Sequence, residues 1–239
     1  MRRIEELSAK IEVARGLRRE AANELPMFSI SGSQAILESL AEAKHQPLGE
    51  LVSVQGGGTP SKSNPLFWKG SIPWISPKDM KHRIIKDAID HISEDAILNS
   101  TAKLLIPGSV LIVVRGMILA HTVPSGVLCV PATINQDIKA LIPNGTLTSE
   151  YLCCVLWALN RELLGLVEKS THDTRRLETL KLLNFRIPVP SLPEQQSIVN
   201  RLNDLQAKVN TLKRLQVETA EELNALLPSV LDKAFKGEL

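Results

Sequence analysis

The sequence predicts an α+β protein in which one globular domain is flanked by two long helices forming an antiparallel coiled coil. Three observations carry this: the end of the chain repeats its beginning, apolar residues keep helical period at both ends and strand period between, and prolines mark the changes. Setting Arg3 against Arg201, an offset of 198, brings Leu7/Leu205, Ala9/Ala207, Lys10/Lys208, Leu17/Leu215, Glu20/Glu218, Ala22/Ala220, Glu24/Glu222 and Leu25/Leu223 into identity. The apolar positions Ile4, Leu7, Ile11, Ala14 and Leu17 lie over Leu202, Leu205, Val209, Leu212 and Leu215, with the three- and four-residue spacing of a helical stripe. A long helix with one narrow stripe needs a partner, and each of these supplies the other. The domain leaves the C-terminal end of the first helix and returns at the N-terminal end of the second, so pairing within one chain is antiparallel. Three segments follow: 1–46 helical, 47–190 globular and 191–239 helical.

The first helix is predicted over residues 2–25, ended by Pro26, whose ring removes a backbone donor. Ser31 and Gln34 resemble a capping box for a second short helix over 35–44. After Pro47 the period changes, and strands are predicted over 48–54, 72–75, 104–106, 110–114, 127–130, 138–141 and 185–189, separated by Pro, Gly and Asn. Helices are predicted over 93–99 and 149–167. Ser191 with Glu194 forms a capping box for the last helix, and Pro193 in the first turn forfeits only a donor that is unused there. That helix is predicted to reach 227, on the order of 50 Å at ~1.5 Å per residue, before Pro228 interrupts it.

At 239 residues with 44% apolar side chains, the chain can build one sizeable core plus a helical appendage, and no apolar run approaches the ~20 residues that span a bilayer. No membrane role follows, and a cytoplasmic protein is expected. Cys129, Cys153 and Cys154 lack metal-ligand spacing and are assigned to packing. The net charge of +2 does not itself imply nucleic acid. The small positive excess sits in the central region, clustered in Lys78, Lys81, Arg83 and Lys86 beside His82, and again in Lys169, His172, Arg175 and Arg176.

Several motifs together resemble the specificity subunits of type I restriction–modification systems. Gly57-Gly58-Thr59-Pro60-Ser61, then Phe67-Trp68-Lys69-Gly70 and Ile72-Pro73-Trp74-Ile75-Ser76-Pro77-Lys78-Asp79-Met80, are similar to the opening of that family's target recognition domains. Ile134-Asn135-Gln136-Asp137, Ile187-Pro188-Val189-Pro190 leading through Pro193-Glu194-Gln195-Gln196, and the ending from Leu226 to Leu239 continue the likeness in the same order. A complete member alternates two recognition domains with two conserved helical regions; this chain resembles half of one. The resemblance implies a non-catalytic subunit that reads one half of a bipartite site on double-stranded DNA and holds methyltransferase subunits, to which the restriction (translocase) subunit attaches. It implies no cofactor in this chain, with S-adenosylmethionine and ATP belonging to the partner subunits. Half a subunit also suggests a two-fold homodimer that reads an interrupted palindrome.

The candidate DNA contacts are Thr59, Ser61 and Lys62 in the glycine loop, Lys78, Lys81, His82 and Arg83 in the first basic segment, and Thr171, His172, Thr174, Arg175 and Arg176 in the second. The last group holds the side chains suited to base edges and occupies the place of the family's short Ser/Thr-rich loop. The glycine loop is not a nucleotide-binding P-loop, because no second glycine immediately precedes Lys62. Asn135-Gln136-Asp137 lacks a nucleophile–base pair and reads as a structural turn; no catalytic residue is assigned. His45, His91 and His121 have no mutual spacing that suggests a metal, and none is assigned. Trp68 and Trp74 read as packing residues. An amino-methyltransferase would need a Gly-rich cofactor loop and an Asn/Asp-Pro-Pro-aromatic motif, which do not occur. A coiled-coil protein that has lost DNA binding and competes for methyltransferase subunits is the alternative reading.

Overall fold

A computed structural model describes residues 2–38, 40, 43–169 and 174–236, with side chains left aside at 2–4, 25–31, 33–34, 36–38, 227 and 234. In chain order the elements are α1 (Arg2–Glu38), β1 (His45–Pro47), α2 (Leu48–Leu51), β2 (Val52–Gly56), β3 (Ile72–Ile75), β4 (Ile84–Ile85), β5 (Asp90–Ile92), α3 (Glu94–Leu98) and β6 (Val110–Val113). They continue with β7 (Ser125–Leu128), β8 (Thr133–Ile134), β9 (Ile138–Pro143), α4 (Ser149–Ala158), α5 (Asn160–Gly165), β10 (Val167–Lys169), β11 (Arg175–Leu177), α6 (Thr179–Asn184), β12 (Arg186–Pro188) and α7 (Leu192–Phe235). The chain divides into a helical unit, Met1–Ile36 with Asn200–Leu239, and a mixed unit, Leu37–Val199. Among the described residues no helix is long and apolar enough to cross a membrane.

In the mixed unit a five-stranded sheet, β2-β9-β6-β7-β4, stands beside a three-stranded one, β5-β3-β8. All four residues of β6 are buried, as a strand flanked on both sides and covered on both faces requires. Helix α4 begins at the Thr148 cap, whose hydroxyl accepts from Tyr151 N, and buries Tyr151 to Leu156 without a break. The Tyr151 hydroxyl donates to Pro188 O at 2.9 Å. Phe67, Trp74, Ile92, Ala96 and Ala102 form a smaller core; Trp68 packs edge-on to Trp74 at 5.0 Å, so both tryptophans are packing pieces.

Several local expectations are corrected. Leu48–Leu51 is one helical turn, because Leu48 and Leu51, three apart, are both buried; the strand starts at Val52. Leu105 makes only an isolated bridge to Ala132. The helix expected over 149–167 breaks at Leu159 into α4 and α5 and gives way to β10 at Val167. Cys153 and Cys154 are buried as expected, but Cys129 is exposed.

In the helical unit α1 continues through Pro26 to Glu38 and α7 through Pro228 to Phe235, so neither proline ends its helix. Proline costs a backbone bond, a local loss that a helix of this length absorbs. Ile11, Leu202 and Val209 are buried, and Leu7 and Leu205 half-buried. Leu205 closes on Gly32, where a Cβ would come within 2.6 Å of its Cδ2. The guanidinium of Arg18 donates to the Gln216 carbonyl, and the two contacts together establish the antiparallel course. Leu17, Leu212 and Leu215 do not belong to the seam: they are 63%, 43% and 44% exposed. The seam runs through Ile11 and Arg18 on one helix and Val209 and Gln216 on the other, and Leu17 and Leu215, one residue earlier than Arg18 and Gln216, are turned aside by about 100°. The Ile4 side chain lies outside the described residues. On one face the pair leaves a cleft of about 640 Å3, with Arg15, Arg19 and Lys213 around Ala22, Val217 and Ala220.

Two expectations are measurable. Val209, 1% exposed, replaced by Asp would place a charge in the seam; helical circular dichroism and Tm should both fall, by the equivalent of about 3 kcal/mol or more. Burial pushes the Cys153 thiol up to about 12 and raises Cys154, so a thiol reagent at neutral pH should titrate Cys129 quickly and the other two only on unfolding.

Candidate nucleic-acid interface

Strand directions bring the separated candidate segments to one end of the sheets. β9 is antiparallel to β6, with Ile138 opposite Val113, so residues 135–137 meet the chain leaving β6 at Val114. β2 is antiparallel to β9, with Gly56 opposite Lys139, which carries the glycine loop to the same end. β7 is antiparallel to β6 and β4 parallel to β7, with Ile84 opposite Val127, so 81–83 arrive there too. In the smaller sheet β8 runs parallel to β3, Ile134 beside Ile75, which places 76–79 next to Asn135. The antiparallel hairpin β10–β11 completes the set. Gly116 N donates to Arg175 O at 3.0 Å, Leu177 N to Val114 O at 2.9 Å, and Arg115 bridges Arg176.

The glycine loop is pinned from below. A Cβ on Gly57 would collide with the Ile134 carbonyl, and one on Gly58 with Thr101, so only glycine fits this crossing. Gly58 O accepts from Trp74 Nε1 at 2.9 Å, and the Thr59 hydroxyl donates to Gln136 Oε1. Ser61 shares a 2.7 Å hydrogen bond with Ser63 and its carbonyl accepts from Trp68 Nε1 at 3.2 Å; Lys62 beside them is exposed.

In the first basic segment Lys78 pairs with Asp90 at 2.7 Å, and that hydrogen bond raises its pKa above the ordinary lysine value. Arg83 is half-buried: Nη1 donates to Cys154 Sγ at 3.4 Å and the guanidinium lies 6.0 Å over the Trp157 ring. Lys81, His82 and Lys86 are exposed. In the second segment Arg176 is exposed, while Thr174 and Arg175 are half-buried. Thr171 and His172 lie outside the described residues.

Sequence reasoning missed Arg115. It is exposed immediately after the buried run Val110–Val114 and before Gly116, whose φ of +131° lets the chain turn there. A lone arginine ending an apolar strand at a glycine is the signal that would have found it. The geometry thus offers exposed Arg115, Arg176 and Lys81, with amide and hydroxyl groups of Gln136 and Thr59 among them, and among the described residues no cluster of three His, Cys, Asp or Glu that could hold a metal. Such an array suits a polyanion with base edges.

Comparison with known proteins agrees with this chemistry. Residues 42–220 match the family described as the type I restriction modification DNA specificity domain. The chain is 40% identical over 172 residues to the specificity subunit of the type I restriction enzyme EcoR124I/EcoR124II of Escherichia coli, covering 72% of this chain and 43% of that protein. The crystal structure of the HsdS subunit from Thermoanaerobacter tengcongensis superposes on all of this chain and 58% of its own, with a TM-score of 0.68 at 28% identity. A chain solved in work on complex assembly and conformational transition of the type I R-M system gives a TM-score of 0.74 at 28% identity, over 99% of this chain and 58% of that one. The chain spans about half the length of these relatives. Motif order, sheet arrangement and a helix at each end of the recognition fold agree with the family match: the chain belongs to the type I restriction–modification DNA specificity family.

Proposed function

We propose that the chain is a sequence-specific DNA-recognition and scaffold subunit, in which the mixed unit reads one half of a bipartite site and the helical unit docks methyltransferase subunits. The observation that carries this is the convergence of three sequence-distant basic segments, at 81–83, 115 and 175–176, on one end of the sheets. The β10–β11 hairpin is the base-reading element on this view, and Arg115, Lys81 and Lys62 hold phosphates. Arg83 acts from behind, since its Nη1 donates to Cys154 and its face lies over Trp157, both on α4. The chain itself performs no chemistry; S-adenosylmethionine and ATP belong to the methyltransferase and restriction subunits, the latter joining through the complex, in the cytoplasm. The cationic cleft lined by Arg15, Arg19 and Lys213 offers the methyltransferase subunit a place to dock.

Changing Arg175 or Arg176 to Ala should relax specificity at one or two positions of the half-site, at ~1–3 kcal/mol per lost bidentate base contact. Changing Arg115 or Lys81 should weaken binding evenly across sequences and flatten the salt dependence by about one counterion. Lys78→Ala should do much less, because Asp90 already neutralises that charge. A binding-site selection at two salt concentrations reads all three; arginine variants that keep the parental half-site would reverse the assignment of the hairpin. Reversing Arg15, Arg19 and Lys213 to Glu together should abolish co-purification with the methyltransferase subunit and leave half-site binding by the chain alone intact.

A further inference from the structure

We propose that Met117 is a base-reading side chain whose thioether end packs on the C5-methyl group of a thymine in the major groove. On the reading that the mixed unit recognises DNA, which this inference rests on, the contact is of a kind that arginines and amides do not make. Met117 opens a single 3-10 turn, Met117–Ala120, in the connection from β6 to β7. Ile112 stands opposite Ser125 across these antiparallel strands, so that connection crosses the same end of the sheet as Lys81, Gln136 and the glycine loop.

The turn is held at both ends. Gly116 N donates to Arg175 O at 3.0 Å and Arg115 bridges Arg176, so Met117 follows directly on the backbone paired with β11. At the far end Asn160 Nδ2 donates to Val123 O at 2.9 Å. Leu119, 1% exposed, is the side chain that the core takes from the turn, whereas Met117 is 63% exposed and Ile118 39% exposed. A Cβ on Gly116 would meet nothing within 4 Å, so open space lies before this backbone. Packing therefore does not account for an apolar side chain at 117. An exposed methionine on an ordinary surface needs no explanation. This one, with Ile118 beside it, stands among Arg115, Arg175 and Arg176, where a polyanion would be held.

A duplex offers an apolar side chain two partners. One is the thymine methyl group, which lies in the major groove; the other is the face of a base pair, reached by a wedge driven through the minor groove into kinked DNA. The neighbours choose between them. Arg175 and Arg176, as base readers, have guanine O6 and N7 as their bidentate acceptors, and those atoms lie in the major groove. Met117, tied to the same strand through Gly116, enters the same groove. Its unbranched, polarisable thioether adapts to a methyl group without demanding one fixed geometry. With base pairs about 3.4 Å apart and residues ~3.8 Å apart along the chain, the thymine lies within about two base pairs of the position that the hairpin reads.

Fluorescence anisotropy on duplexes carrying the selected half-site, each thymine replaced in turn by deoxyuridine, tests this for the chain alone and with the methyltransferase subunit. At one thymine the parental chain should bind about fourfold more weakly without the methyl, as the loss of one buried CH2-sized group implies. M117A should lose a similar factor on the unmodified duplex and be indifferent to deoxyuridine at that position. Its Tm should be unchanged, because Leu119 anchors the turn. M117L, apolar and of similar size, should keep the methyl preference. A parental chain indifferent to every deoxyuridine, or an M117A chain that still loses affinity with the missing methyl, overturns the proposal. Weaker binding by M117A with a reduced DNA bend and no deoxyuridine effect also overturns it, and gives Met117 to a wedge between base pairs. A chain that selects no half-site fails the DNA reading and takes this inference with it; one that selects a half-site and ignores the methyl fails this inference alone.

Discussion

One short turn ties the end of one sheet to the end of the other, and the arrangement of the candidate interface depends on it. Asn135 is buried and spends its amide within the turn: Nδ2 donates to Asp137 Oδ2, and Oδ1 accepts from Asp137 N, both at 3.0 Å. Its backbone N donates to Ile75 O at 2.9 Å, which ties the turn to the end of β3. Asp137 O accepts from Val114 N and Arg115 N at 2.8 and 3.2 Å, which ties it to the end of β6. A polar network this fully satisfied in a buried place is rigid, because breaking any member strands another. Arg115, Gln136 and the glycine loop all take their positions from it.

The helical unit rests on a different balance. Its helices are long but their seam is partly polar, since Arg18 and Gln216 occupy the middle where a simple coiled coil would place leucines. Both helices continue across prolines that local propensity treats as ends. Leucines left outside the seam then cost stability unless something covers them, which is the physical reason to look for a partner there.

Much of this was legible in the sequence, and the failures have a common cause. The repeat at 198 anticipated the two helices and their antiparallel course, and the Ser191–Glu194 capping pattern marked the start of the last helix, whereas the mixed unit, Leu37–Val199, reaches further at both ends than the predicted 47–190. The buried stretch of α4 and the structural turn at Asn135 were also readable, because each depends on neighbours in sequence. What could not be read depends on partners far away. Leu17 and Leu215 are assigned by stripe counting to a seam that the real helical phase moves one residue on. Lys78 and Arg83 look alike in a basic run, yet Asp90 takes one and Trp157 the other, and nothing local announces either partner. Arg115 is a lone charge in an apolar stretch and acquires meaning only when the hairpin is laid beside it.

The mixed unit begins and ends on the same two-stranded ribbon. His45–Pro47 pairs antiparallel with Arg186–Pro188, His45 opposite Pro188 and Pro47 opposite Arg186, so the chain enters and leaves as adjacent strands. A module whose two ends are neighbours imposes little on the chain that carries it. It can be cut out at the ribbon and another of different interior grafted in its place, the host supplying only the paired strands. The ribbon is thus a socket, and the interior of the unit can change without altering the strands that close it.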